Sequence, residues 1–206
     1  KRTNYAQIAC DYLQQSRPNV LFGGGGNFSE FVDPTRAGYS VVRNRAELNA
    51  FHPTTPDSFV SGAFGDGSDG MPYEYEGEKE YTVLPHLSEL TSKALSLLDD
   101  DPDGFFLMVE GAKIDKACHA NNLERAVCET VEFSKSVQVA LDWVVEHPDT
   151  LIIVTADHET GGLKIKEDNG PCHFPTVSWA TKSHTKTRVN VYACGPFAEQ
   201  ISGTMN

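Results

Sequence analysis

Six side chains able to hold a metal ion fall in three short stretches: Glu110, Asp115 and His119 in "FFLMVEGAKIDKACH", Asp157 and His158 in "TLIIVTADH", and His184 in "SHT". Together they offer three carboxylates and three imidazoles. An ionised carboxylate at the end of an apolar run is costly unless it is paired or bound to a cation. Asp115 and His119 stand four residues apart, so on a helix they share one face and can reach a single ion. A set mixed in this way suits zinc at nitrogen-rich positions and magnesium at an oxygen-rich one. Each stretch alone also has an ordinary explanation, the Asp157–His158 pair as a hydrogen-bonded turn and Asp115 with His119 as a surface helical pair.

The elements that must position these residues alternate in type. The spacing predicts an amphipathic helix over 4–15, short strands in "NVLFGG", "GYSVVRN" and "SFVSGAFG", and a short helix in "AELNAF". Residues 65–85 read as an irregular surface loop. A helix follows in "LSELTSKALSLL", then a strand in "FFLMV". Leu123, Val127, Val131, Val137, Leu141 and Val144 recur near a helical period and predict a long helix over about 121–146, stopping before Pro148. The run "LIIV" fits a parallel strand covered on both sides. After a polar loop over 159–183, a last strand is expected in "RVNVYACGP". The expected fold class is α/β, a mostly parallel sheet flanked by helices and incomplete at both ends, with 1–206 as one domain. In such sheets functional groups gather at the carboxyl ends of parallel strands, where Glu110, Asp157 and His158 fall.

Composition narrows the function. The chain has 206 residues, 39% apolar, with a formal net charge of −12. That charge, with no cluster of Lys and Arg, argues against a nucleic-acid partner. No apolar run approaches the roughly 18–20 residues of a membrane helix. Five cysteines show no CxxC pair, and the odd count leaves at least one without a partner within the chain. The glycines 23–26 lack the pattern of a phosphate-binding loop and read as a tight turn after a strand.

The stretches "GFFLMVEGAKIDKACH", "ETVEF", "TLIIVTADHETGG" and "SHT", in that order, closely resemble the motifs of the alkaline phosphatase family, and "LFGGG", "MPYE" and "LPHLSELTSKAL" resemble the stretches that precede them. The resemblance covers nearly the whole chain. It implies phosphomonoester hydrolysis through a phosphoserine intermediate, with two zinc ions and one magnesium ion in the complete enzyme. Asp115, His119 and His184 would hold one zinc, Asp157 and His158 would contribute to the second, and Glu110 would be a magnesium ligand. Lys116 would reach phosphate through water, or stand as a solvated surface lysine. The substrate would be a phosphate monoester, the location periplasmic or secreted, and the complete enzyme a possible homodimer. Loop 159–183 would be a short form of the family's crown insertion.

One departure is large. The family's serine nucleophile, an aspartate bridging the second zinc and magnesium, a further magnesium ligand and a phosphate-clamping arginine are expected upstream of Lys1. No catalytic nucleophile is assigned within the chain, which is therefore expected to be inactive alone. Asp57 and Ser58 imitate an Asp-Ser nucleophile pair but lie in a segment that resembles a later strand. A related metallohydrolase, of phosphodiesterase, sulfatase or phosphoglycerate mutase type, and a non-catalytic zinc-binding domain are the alternatives.

Overall fold

The computed structural model describes residues 4–25, 31–53, 58–65, 71–74 and 80–204. Asp57, Gly26 and parts of the expected 65–85 loop lie outside the described residues. The chain divides into two compact units, residues 1–109 and 110–206.

The first unit carries the parallel sheet. Helix α1 (Tyr5–Asp11) continues through a π-helical turn, Tyr12–Ser16, and leads to β1 (Val20–Gly24). Then come β2 (Tyr39–Val42), α2 (Arg45–Ala50) and β3 (Phe59–Phe64). The strand order is β1-β3-β2, all parallel, with Val20 opposite Val60 and Tyr39 opposite Phe59. The central strand β3 is the most buried of the three. Val60 and Phe64 pack with Val42, Leu48, Leu84 and Leu90 in one cluster, and burying each such side chain is worth about 1.5–3 kcal/mol. Of the glycine run expected to form a turn, Gly23 and Gly24 lie in β1, and Gly25 follows it where a Cβ would lie 2.8 Å from the Gly65 carbonyl oxygen. The expected loop 65–85 holds a short helix, α3 (Glu80–Val83), ahead of α4 (Leu87–Leu98).

Helix α2 starts at Asn44, whose side-chain oxygen accepts from the Glu47 amide at 2.9 Å while Glu47 accepts from the Arg43 amide at 2.7 Å. Such reciprocal caps close two open amides at once. Asn44→Ala is expected to cost about 1 kcal/mol in a denaturant titration, with little change in slope.

The predicted strand "FFLMV" is not observed. Residues 105–109 belong to none of the described sheets, and Phe106 and Met108 are 89% and 72% exposed. An apolar run gives the tendency, but a strand exists only against a neighbour that takes up its backbone hydrogen bonds.

The second unit opens with α5 (Ala112–His119) and the long α6 (Leu123–Glu146), which begins at Asn122 accepting from the Arg125 amide. The predicted length of α6 is observed, but its buried face is Ala126, Glu129, Glu132 and Ser136, while Val127, Val131 and Leu141 are exposed. Periodicity identifies a helix without saying which of its faces is covered.

Strand β4 (Ile152–Thr155) pairs antiparallel with β9 (Val191–Cys194), not parallel as expected, and Ile153 is exposed. The loop 159–183 is more ordered than its composition suggests. It contains β5 (Glu159–Thr160), β6 (Lys164–Glu167) and β7 (Thr176–Ser178), with β6 and β7 forming an irregular antiparallel pair. Strand β8 (His184–Thr185) returns antiparallel to β5.

Candidate metal centre

Helix α5 is short and begins at Gly111, with Ala117 fully buried beneath it. Asp115 and His119 sit one turn apart on its other side, with Asp115 Oδ2 3.4 Å from His119 Nε2. The β5–β8 ladder puts His184 directly opposite Thr160. This brings His184 Nε2 to 3.5 Å from Asp115 Oδ1 and 3.1 Å from His119 Nε2. Three side chains from a helix and a strand are therefore in mutual contact, His119 against Oδ2 of Asp115 and His184 against Oδ1.

The orientation of His119 is fixed from behind. Its Nδ1 donates to the Lys182 carbonyl at 2.6 Å, which leaves the Nε2 lone pair pointing into the cluster. Lone-pair atoms packed so closely repel one another unless a cation or proton lies between them. Tetrahedral zinc with bonds of about 2.0–2.1 Å sets neighbouring ligand atoms about 3.3 Å apart, close to each of these contacts taken singly, with the two imidazoles meeting different oxygens of the carboxylate. The donor set fits zinc.

Asp157 and His158 follow β4. His158 Nε2 lies 3.1 Å from Asp157 Oδ2, and its ring stacks on that of His184 with centroids 3.5 Å apart. Asp115, His158 and His184 each offer a ligand atom within 4.8 Å of the others. The expected trio Asp115, His119 and His184 and the expected pair Asp157 and His158 thus meet through His158 and His184, while His119 and Asp157 stand outside this three-atom grouping. Glu110, one residue before the cap of α5, is exposed and also outside it. Lys116 is exposed beside Asp115.

Two residues in "ADHETGG" position the site although their own chemistry gives no signal in the sequence. The buried Thr160 hydroxyl donates to Asp115 Oδ1 at 2.6 Å and lies 3.2 Å from His158 Nδ1. Glu159 accepts from the Gly162 amide at 2.8 Å and from the Thr185 hydroxyl, fastening β5 to the strand that carries His184. Burial pushes the Cys118 thiol above its usual pKa, and the Asp115 and Glu159 carboxylates add to the effect. That keeps it protonated at neutral pH.

A model of the alkaline phosphatase family matches residues 23–176. Alkaline phosphatase 3 of Bacillus subtilis is 36% identical over 178 residues, covering 81% of this chain and 37% of that protein. Alkaline phosphatase H of Pseudomonas aeruginosa is 32% identical over 237 residues, covering 92% of this chain and 49% of that protein. The crystal structure of a cold-active alkaline phosphatase from a psychrophilic Shewanella superimposes with a TM-score of 0.83 at 26% identity, over 100% of this chain and 66% of that one. The chain spans half or less of the length of these two curated relatives.

Proposed function

The chain belongs to the alkaline phosphatase family, and from that premise we propose that it is the metal-holding portion of a phosphomonoesterase. In this reading Asp115, His119 and His184 hold one zinc ion, and Asp157 with His158 contribute to a second. The observation that carries it is the convergence of the Asp115 carboxylate with two imidazole nitrogens at 3.1, 3.4 and 3.5 Å. Bound zinc at such a pair of positions supplies charge that polarises a phosphoryl oxygen and stabilises a leaving alkoxide.

The chain's own residues do the rest. His119 is held in its ligating tautomer by the Lys182 carbonyl, and the His158–His184 stack keeps the two ligand sets adjacent. Lys116, exposed and next in sequence to Asp115, would attract a phosphate oxygen arriving from solvent. Glu110 supplies a single carboxylate. A magnesium ion needs a near-octahedral oxygen shell, so Glu110 contributes one ligand to it and does not make the site alone. Since the chain spans half or less of the length of these relatives, the reading takes the serine nucleophile from outside these 206 residues.

The test is a zinc titration of the 206-residue chain followed by an assay on an aryl phosphate at alkaline pH. Saturable zinc binding is expected, with hydrolysis no faster than the free ions give. A chain that takes up no zinc overturns the metal assignment. Turnover that disappears in Asp157→Ala would instead put a nucleophile within these residues.

A further inference from the structure

Thr160 touches one member of each ligand set, Asp115 and His158, without being assigned to either. Its hydroxyl has one proton to give. Asp115 Oδ1, an acceptor at 2.6 Å, takes that proton in a charge-assisted hydrogen bond of the short kind. The hydroxyl oxygen then has only lone pairs to offer the second neighbour, His158 Nδ1 at 3.2 Å, so that nitrogen must be the one that carries a hydrogen. A neutral imidazole protonated at Nδ1 has its lone pair on Nε2, the atom that faces Asp157 Oδ2 at 3.1 Å. One proton placement therefore fixes a second.

The backbone holds this arrangement in place. Thr160 is 8% exposed and stands opposite His184 in the β5–β8 ladder, so its side chain is confined among Asp115, His158 and the strand bearing His184. A β-branched residue at such a position has little rotamer freedom, which aims the hydroxyl at both acceptor and donor without a conformational search.

We propose that Thr160 is a positioning residue shared by the two metal sites: its hydroxyl orients the Asp115 carboxylate for one ion and sets the His158 tautomer for the other. The inference rests on the metal assignment above and adds a coupling to it. Loss of one hydroxyl weakens two sites, although Thr160 binds neither ion.

The experiment is zinc titration of the full 206-residue chain by competition with a chromophoric chelator, comparing wild type, Thr160→Val and Thr160→Ser, with thermal melts of each metal-free protein as the folding control. Removing an outer-shell partner of a zinc ligand lowers affinity by about 10–100-fold, and that loss is expected at both sites in Thr160→Val, with Thr160→Ser within about threefold of wild type. Cobalt(II) in place of zinc gives a second readout, since its visible absorption reports ligand geometry. The Val variant should shift that spectrum and the Ser variant should restore it.

Wild type that binds zinc while Thr160→Val binds it equally well at both sites overturns the Thr160 inference alone. A loss confined to one site overturns the shared role, and a loss that Thr160→Ser fails to repair overturns the role of the hydroxyl. Wild type that binds no zinc overturns the metal assignment and the inference with it.

Discussion

Replacing Asp115 by asparagine is expected to weaken zinc binding about 100- to 1000-fold. Asp115 occupies the centre of the cluster, with Oδ2 3.4 Å from His119 and Oδ1 3.5 Å from His184 while also accepting from Thr160. A complete four-ligand zinc site is worth about 10–16 kcal/mol, so one ligand accounts for about 2.5–4 kcal/mol, which is the factor given. Asparagine preserves the shape of the side chain and an oxygen able to accept from Thr160. It removes the negative charge and turns an amide group with two hydrogens toward the imidazoles. The measurement is the same chelator competition, with the metal-free melting temperature showing that the fold survives. Affinity within threefold of wild type would mean that zinc, where it binds, does not use Asp115.

The local parts of this site were readable and the non-local parts were not. Asp115 and His119 share a face because a helix returns every 3.6 residues, a relation contained within five consecutive residues. The length of α6 follows from the same period, together with Asn122 at its start and Pro148 beyond its end. The partner of β4 is β9, some forty positions on, and no spacing encodes that pairing or its antiparallel sense. "FFLMV" failed as a strand for a related reason, since its apolar residues express a propensity that only a paired neighbour makes real. Thr160 was invisible in another way. A threonine after a Glu is unremarkable until the β5–β8 register sets it opposite His184 and against Asp115. Residue types and spacing picked out the six candidate ligands, and the family resemblance divided them among ions. The hydroxyl that connects them emerged from the ladder.

The same ladder makes Gly161 a position where a single methyl group should damage both the fold of the second unit and the metal cluster. Gly161 has φ of +95°, and a Cβ there would lie 2.5 Å from Trp179 Cε3, 2.7 Å from Trp179 Cζ3 and 3.3 Å from the Cys118 carbonyl oxygen. Its backbone is also the hub of the turn. The amide donates to Ser183 O at 3.0 Å, and the carbonyl accepts from the Ala180 and Thr181 amides at 2.9 and 3.1 Å. An alanine must adopt a left-handed backbone at about 1–3 kcal/mol and displace an indole at about 1–3 kcal/mol more, because moving the turn instead would break three hydrogen bonds. Gly161→Ala is therefore expected to destabilise the protein by about 4 kcal/mol in a denaturant titration. The segment 180–184 that the turn anchors carries both the Lys182 carbonyl behind His119 and His184, the proposed ligand, so zinc affinity should fall with stability in this variant. A Gly161→Ala protein with wild-type stability and wild-type zinc affinity would show that the turn accommodates a side chain and that His184 is held in place by some other contact.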